Sequence, residues 1–131
     1  MLQEFSLSVR VYIEDTDAGG IVYYVNYLKY FERARTEYMR ALGFDKPAFL
    51  GNDTMFVVTD VDVKYRRPAV LDDRLQVTAA IERVGAATLV FKQRVNCDDE
   101  LLVDGRVTIA LVSTETRRPC RLPTVLRAAL A

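Results

Sequence analysis

Between Glu14 and Tyr24 the chain reads Glu-Asp-Thr-Asp-Ala-Gly-Gly-Ile-Val-Tyr-Tyr, so three carboxylates and two glycines precede a long amphipathic stretch. The start of a helix exposes backbone N–H groups without intrahelical partners and the positive end of the helix dipole, a ready stabiliser for a developing oxyanion. A carboxylate held beside it can attack a carbonyl carbon or take a proton from water. The same residues have a plainer use, because acidic side chains cap helices and glycines make turns. An Asp-x-Asp-x-x-Gly run also begins calcium loops, but the downstream ligands of that pattern are missing and no metal site is expected.

Composition narrows the chemistry further. The chain contains no histidine, which excludes Ser-His-Asp and Cys-His relays, histidine-bearing zinc sites and a histidine general base. Eighteen Lys and Arg balance eighteen Asp and Glu, so no general electrostatic attraction to nucleic acid is expected, and none is predicted as a partner. Cys97 and Cys120 form no Cys-x-x-Cys pair and are too few for a disulfide framework. The first residues have neither the basic nor the apolar region of a signal peptide, and no apolar run nears the 18 to 20 or so residues of a transmembrane segment. A cytoplasmic location is the expectation.

The elements that must position these groups can be read from periodicity. Residues Phe5 to Ile13 alternate apolar with polar, as a half-buried strand does. From about Tyr24 to Leu42 the period becomes helical, with Tyr27, Leu28, Phe31, Ala34, Arg35, Tyr38, Met39 and Leu42 recurring at three- and four-residue steps. Gly43 supplies a stop, which makes an element roughly 28 Å long. A loop containing Asp45, Pro47, Gly51 and Asn52 follows, then four β-rich stretches: Met55 to Tyr65, Arg74 to Val84, Thr88 to Cys97 and Leu101 to Ser113. Turn signals at Gly85-Ala86 and Asp98-Asp99-Glu100 predict that the last three strands form an antiparallel meander. With 131 residues and 14.9 kDa, the chain suits one domain spanning 1–131. Its predicted fold is α+β, a curved antiparallel sheet wrapped around one long central helix, whose other side is exposed or meets a second subunit.

The segment YIEDTDAGGIVYYVNYLKYFERARTEYMRALGF resembles the signature of the hotdog-fold acyl-CoA thioesterases. It is similar to the 4-hydroxybenzoyl-CoA thioesterase class, and most like the Tol-Pal-associated acyl-CoA thioesterase branch. The likeness continues through FVVTDVDVKYRRPAVLDD and TLVFKQRV, and so covers nearly the whole chain. The resemblance implies that Asp17 is the catalytic carboxylate, either as a nucleophile forming a mixed anhydride or as general base for water. It also implies that the backbone N–H of Tyr24, at the start of the central helix, donates to the thioester oxygen. The Tol-Pal branch commonly carries His at this position, whereas the 4-hydroxybenzoyl class carries Tyr.

Further roles follow the same resemblance. Asp15 matches the motif, with a turn or capping role favoured; Gly20 belongs to the substrate site, and Tyr23 and Asn26 either shape the pocket or serve the local structure alone. Glu32 lies two turns beyond Tyr24 and either meets a polar group on the acyl chain or pairs with Arg35 or Lys29. Lys64, Arg66 and Arg67 form the densest basic cluster for the phosphates of coenzyme A, with Arg83 and Arg117-Arg118 as competitors. The basic run that the 4-hydroxybenzoyl class carries before the fourth strand is replaced by Gly85-Ala86-Ala87-Thr88, where only Thr88 retains a hydroxyl. Phe31, Met55, Phe56 and Val57 could line the acyl pocket. The implied reaction is hydrolysis of acyl-CoA to a free acid and coenzyme A without metal or organic cofactor, in a homodimer or a dimer of dimers with shared sites. An acyl-carrier-protein thioester as substrate, or a binding module for acyl thioesters or a protein without turnover, are the alternatives.

Overall fold

Strand-forming residues in alternation build five strands, which the computed structural model joins in one antiparallel sheet of order β1-β3-β4-β5-β2. The structure describes residues 4–46, 50–51 and 53–130. The strands are β1 (Phe5–Arg10), β2 (Thr54–Tyr65), β3 (Arg74–Val84), β4 (Thr88–Cys97) and β5 (Glu100–Ser113), with a long helix α1 (Asn26–Ala41) and a short one, α2 (Thr124–Leu130). Pro47 and Asn52 of the predicted loop lie outside the described residues.

The meander β3-β4-β5 forms as the turn signals predict. Asp98 and Asp99 alone connect β4 to β5, with φ of 49° and 68°. Two central residues in the left-handed region match the right-handed twist of the flanking strands, and Asp tolerates that region better than most side chains. β2 pairs with β5 from Thr54 to Tyr65, with a bulge between Val58 and Asp60. Among the described residues no strand lies beside its outer edge, and Val58 and Val61 on it are exposed.

The helix packs against β1, β3 and β4. Phe31, Ala34 and Tyr38 are fully buried with Leu75, Val77, Leu89, Phe91 and Val95 of the sheet. Tyr38 meets Phe91 edge to face at 5.4 Å between ring centroids. At its end Gly43 has φ of 103°, its N–H donates to Arg40 O at 2.9 Å and the Phe44 N–H donates to Met39 O at 3.1 Å. That is the paired bonding of a Schellman stop, with the glycine where the sequence places it.

Beyond shifts of a single residue at the ends of β2, β5 and α1, two boundaries and one element differ from the sequence reading. The β1 ladder stops at Arg10 rather than Ile13. Val11 still exchanges backbone bonds with Asp72 and Asp73, but Ile13–Asp15 coil into one 3-10 turn that leaves Ile13 76% exposed. The Asp15 carboxylate closes that turn by accepting the Tyr12 N–H at 2.8 Å. The helix begins at Asn26 rather than Tyr24 because Tyr23–Val25 form a tighter turn, with the Asn26 N–H bonded to Tyr23 O at 2.8 Å. α2 has no counterpart in the sequence reading. It is held by burial of Leu126 and Leu130 rather than by length.

Gly105 sits opposite Val63 where β5 passes close to β2. A Cβ there would stand 2.4 Å from Asp62 O and 2.9 Å from Val63 Cγ2. The first of these is backbone, so β2 itself would have to move. Gly105→Ala is expected to lower unfolding free energy by about 1–3 kcal/mol, read as a shifted denaturant midpoint.

Candidate active site

The segment after β1 folds back on itself before the helix starts. Thr16 bridges Val22, the Asp17 N–H donates to Ile21 O at 2.9 Å, and the Gly20 N–H returns to Asp17 O at 3.0 Å. Gly20 supplies the φ of 79° that this tight reversal needs. Ile21 bridges Val70, and the Val22 N–H donates to Ala69 O at 2.9 Å. The hairpin is thereby fixed to the segment that follows β2.

Asp17 is exposed at the tip. Its Oδ1 accepts the Gly19 N–H at 2.9 Å, while its other oxygen has no partner among the described residues. A Cβ at Gly19 would lie 3.2 Å from Oδ1, so the glycine leaves room for the carboxylate in this pose. The capping alternative for the acidic residues applies to Asp15, which closes the 3-10 turn, and not to α1, whose start has no side-chain cap.

That uncapped start leaves backbone donors free. Asn26, Tyr27 and Leu28 give their N–H groups to Tyr23, Tyr24 and Val25 carbonyls at 2.8, 3.3 and 3.1 Å. The N–H groups of Tyr24 and Val25 have no acceptor among the described residues. Tyr24 therefore stands one residue before the N-cap Val25 and still presents its amide at the positive end of a 16-residue helix.

The neighbouring side chains hold this junction. Asp15 O accepts both the Tyr23 N–H at 2.9 Å and the Asn26 Nδ2 at 2.8 Å. Asn26 is thus a buried strut beneath the site and not a wall of it. The Tyr30 hydroxyl is buried near the Asp15 carboxylate, and burial with that negative charge raises its pKa and keeps it protonated. The Tyr27 hydroxyl accepts the Ala69 N–H at 3.0 Å, and its burial likewise raises its pKa.

Beside Tyr24 the rings form a chain, with Tyr24 5.1 Å from Tyr23 and 5.9 Å from Tyr65, and Tyr65 5.7 Å from Tyr27. Tyr24, Tyr27, Tyr65, Arg66 and Arg67 share a cavity of about 230 Å³. Tyr65 was not singled out from sequence, although an aromatic residue directly before Arg66-Arg67 at a strand end was a usable signal. Of the basic cluster, Arg66 is engaged bidentately by Asp104, with its Nε 2.6 Å from Oδ1, which holds the Asp104 carboxyl below its usual range. Arg67 has a longer, exposed pairing with Glu100 at 3.3 Å. Lys64 is exposed on β2, outside that cavity.

Glu32 makes no ion pair within 4.0 Å among the described residues, so neither the Arg35 nor the Lys29 pairing forms. It lines a separate cavity of about 330 Å³ with Arg35, Met39, Phe56, Val57 and others. Phe31 lies in the core instead. Thr88 is not brought to the site within one subunit. It stands opposite Ala110, whereas Tyr65 stands opposite Val103. Those positions are about 23 Å apart along β5 at the strand's rise per residue.

The thioesterase-like superfamily model matches residues 11–130. An acyl-CoA thioesterase YbgC from Haemophilus influenzae is 42% identical, with 95% of this chain and 93% of that protein aligned. An acyl-CoA thioester hydrolase YbgC from Escherichia coli is also 42% identical, over 91% of this chain and 90% of that protein. Among solved structures, a probable thioesterase from Bartonella henselae superposes with a TM-score of 0.81 and 36% identity, covering 92% of this chain and 98% of the other.

If the Asp15 carbonyl organises the junction, Asn26→Ala is expected to cost about 1 kcal/mol. Denaturant unfolding measures the loss, and faster hydrogen exchange at the Tyr23 amide locates it.

Proposed function

The chain belongs to the thioesterase-like superfamily, has the hotdog fold and is a thioester hydrolase, and from that premise we propose that it hydrolyses acyl-CoA to a free acid and coenzyme A. Within the superfamily we place it in the 4-hydroxybenzoyl-CoA thioesterase class, nearest the Tol-Pal-associated branch, with Tyr24 where histidine is common. The supporting observation is the junction itself: an exposed carboxylate with one oxygen pinned and one free, on the hairpin that leads into a helix start with two N–H groups unclaimed among the described residues.

In this reading the thioester carbonyl oxygen accepts the Tyr24 N–H, which strengthens as the carbonyl becomes tetrahedral and negative. The free Asp17 oxygen either attacks the carbonyl carbon or takes a proton from the attacking water. By the first route the C–S bond breaks as the anhydride forms, and water then splits the anhydride to regenerate the carboxylate. By the second, water's oxygen bonds to carbon and the C–S bond breaks directly. Both consume one water and release the acid and the thiol, and neither uses a metal or organic cofactor. The free thiols Cys97 and Cys120 suit a reducing compartment such as the cytoplasm.

For the coenzyme, Arg67 is the cation best able to exchange its exposed carboxylate partner for a phosphate, with Arg66 and Lys64 adding charge nearby. Gly20 and Tyr23 frame the thioester. Thr88 contributes only from a second subunit, and the unpaired β2 edge with exposed Val58 and Val61 supports such an assembly. A homodimer or a dimer of dimers is the state expected by light scattering.

Asp17→Asn is expected to keep the wild-type melting temperature and to lose about 10²- to 10⁴-fold in kcat. Near-normal turnover by that variant overturns the role of Asp17. Arg67→Ala is expected to raise KM severalfold for acyl-CoA while leaving the KM for the matching N-acetylcysteamine thioester unchanged, because only the former carries phosphates.

A further inference from the structure

β1 is an edge strand without the bulge that interrupts β2. Among the described residues its one strand neighbour is β3, and the ladder between them runs from Phe5 to Arg10 with no register shift. The strand, FSLSVR, holds no proline, lysine or glycine. Val11 turns both its backbone groups to the β3 side, the N–H donating to Asp73 O and the carbonyl accepting the Asp72 N–H, each at 2.9 Å. Backbone direction alternates along an antiparallel strand, so Phe5, Leu7 and Val9 also point their N–H and C=O at β3, while Ser6, Ser8 and Arg10 point theirs outward. An open row of this kind is a template for another strand. Room for one is present, because Phe5 and Leu7 are only partly buried although they pack on the core. A groove of about 590 Å³ runs along them, with Arg33 and Glu37 of α1 on its far side.

The sequence of the strand specifies what fits there. Read antiparallel about Leu7, it is its own complement: Leu7 meets Leu7, Phe5 meets Val9, Ser6 meets Ser8 and Glu4 meets Arg10. Apolar pairs fall on the helix side, polar pairs on the outer side, and opposite charges at both ends. Glu4, Ser6, Ser8 and Arg10 are also the residues whose backbone groups face outward, so in this register they are the pairs that exchange hydrogen bonds. A slip of two residues, the smallest that keeps the apolar residues on one face, sets Glu4 or Arg10 opposite a serine.

We propose that β1 docks on β1 of a second copy of this chain, about a two-fold axis at Leu7, and continues the antiparallel sheet across the contact. Within one chain Glu4 pairs with Arg94 at 2.7 Å, and Arg10 Nη1 donates to Asp72 O at 3.1 Å. Both side chains are exposed and keep capacity for a second partner, since a carboxylate has about four acceptor sites and a guanidinium about five donors. β1 and β2 bound opposite sides of the sheet, so the contact adds to an assembly made through β2 and does not compete with it.

Sedimentation equilibrium of the full chain tests the pairing. The weight-average mass of the wild-type protein is expected to rise with concentration above that of Ser8→Pro, which removes one outward N–H and is expected to keep the wild-type melting temperature. Glu4→Arg and Arg10→Glu each bring like charges together at both ends of the contact, and each alone is expected to raise the dissociation constant about tenfold or more. An equimolar mixture of these two variants is expected to recover the wild-type constant, because every facing charged pair between them is again of opposite sign. A wild-type mass no higher than that of Ser8→Pro at any concentration overturns the proposal. So does a mixture that associates no better than its components, which would make the charge effect a general one and not that of this register.

Discussion

The carbonyl oxygen of Asp15 takes two donors at once, the Tyr23 N–H and the Asn26 side-chain amide, and the polar geometry at the helix start depends on that shared acceptor. One bond comes from the hairpin's return strand and the other from the first residue of α1, so a single atom sets the angle between them. A backbone oxygen does this without adding charge. The carboxylate of the same residue is turned the other way, onto the Tyr12 N–H, where it ends β1 and starts the loop. With these donors committed, the amides of Tyr24 and Val25 are left over by construction.

The rest of the molecule keeps that junction still. Tyr27 reaches from the helix to the backbone of Ala69, and Val22 joins the same residue from the hairpin side. The segment after β2, the hairpin and the helix therefore meet around Ala69, which is fully buried. The far end of the helix is stopped by Gly43 and its face is set by Phe31, Ala34 and Tyr38, buried against the sheet. A dipole fixed at both ends of its helix can act on a reacting group without reorganising, which is where preorganised electrostatics gain their advantage over water.

Much of this was legible in the sequence, and the exceptions have physical causes. Strands β3 and β4 fall where alternation and turn residues place them, and β2 and β5 differ by one residue at their starts. Those strands are paired on long ladders, so local pattern and tertiary context agree. β1 and α1 are misjudged where they face each other, because Ile13 continues the apolar alternation while the Asp15 carboxylate bends the chain out of it. Tyr24 continues the helical spacing although its own N–H is not in the helix. Helical periodicity correctly places Arg35 on the inner face with apolar neighbours, but it cannot show Gln93, 58 positions away, as the partner that orients it. Nor can one-dimensional spacing show that Thr88 and Tyr24 belong to opposite ends of the sheet.

The β3–β4 turn that leads to Thr88 is fastened from the other end of the chain. Arg127 of α2 donates to the carbonyls of Gly85 and Ala86, and the Leu122 N–H donates to Ala86 as well. In an assembly whose sites borrowed that turn from a neighbour, the C-terminal helix of one subunit would brace a residue of another subunit's site. A fusion or cleavage at the tail would then act on a molecule other than the one that carries it.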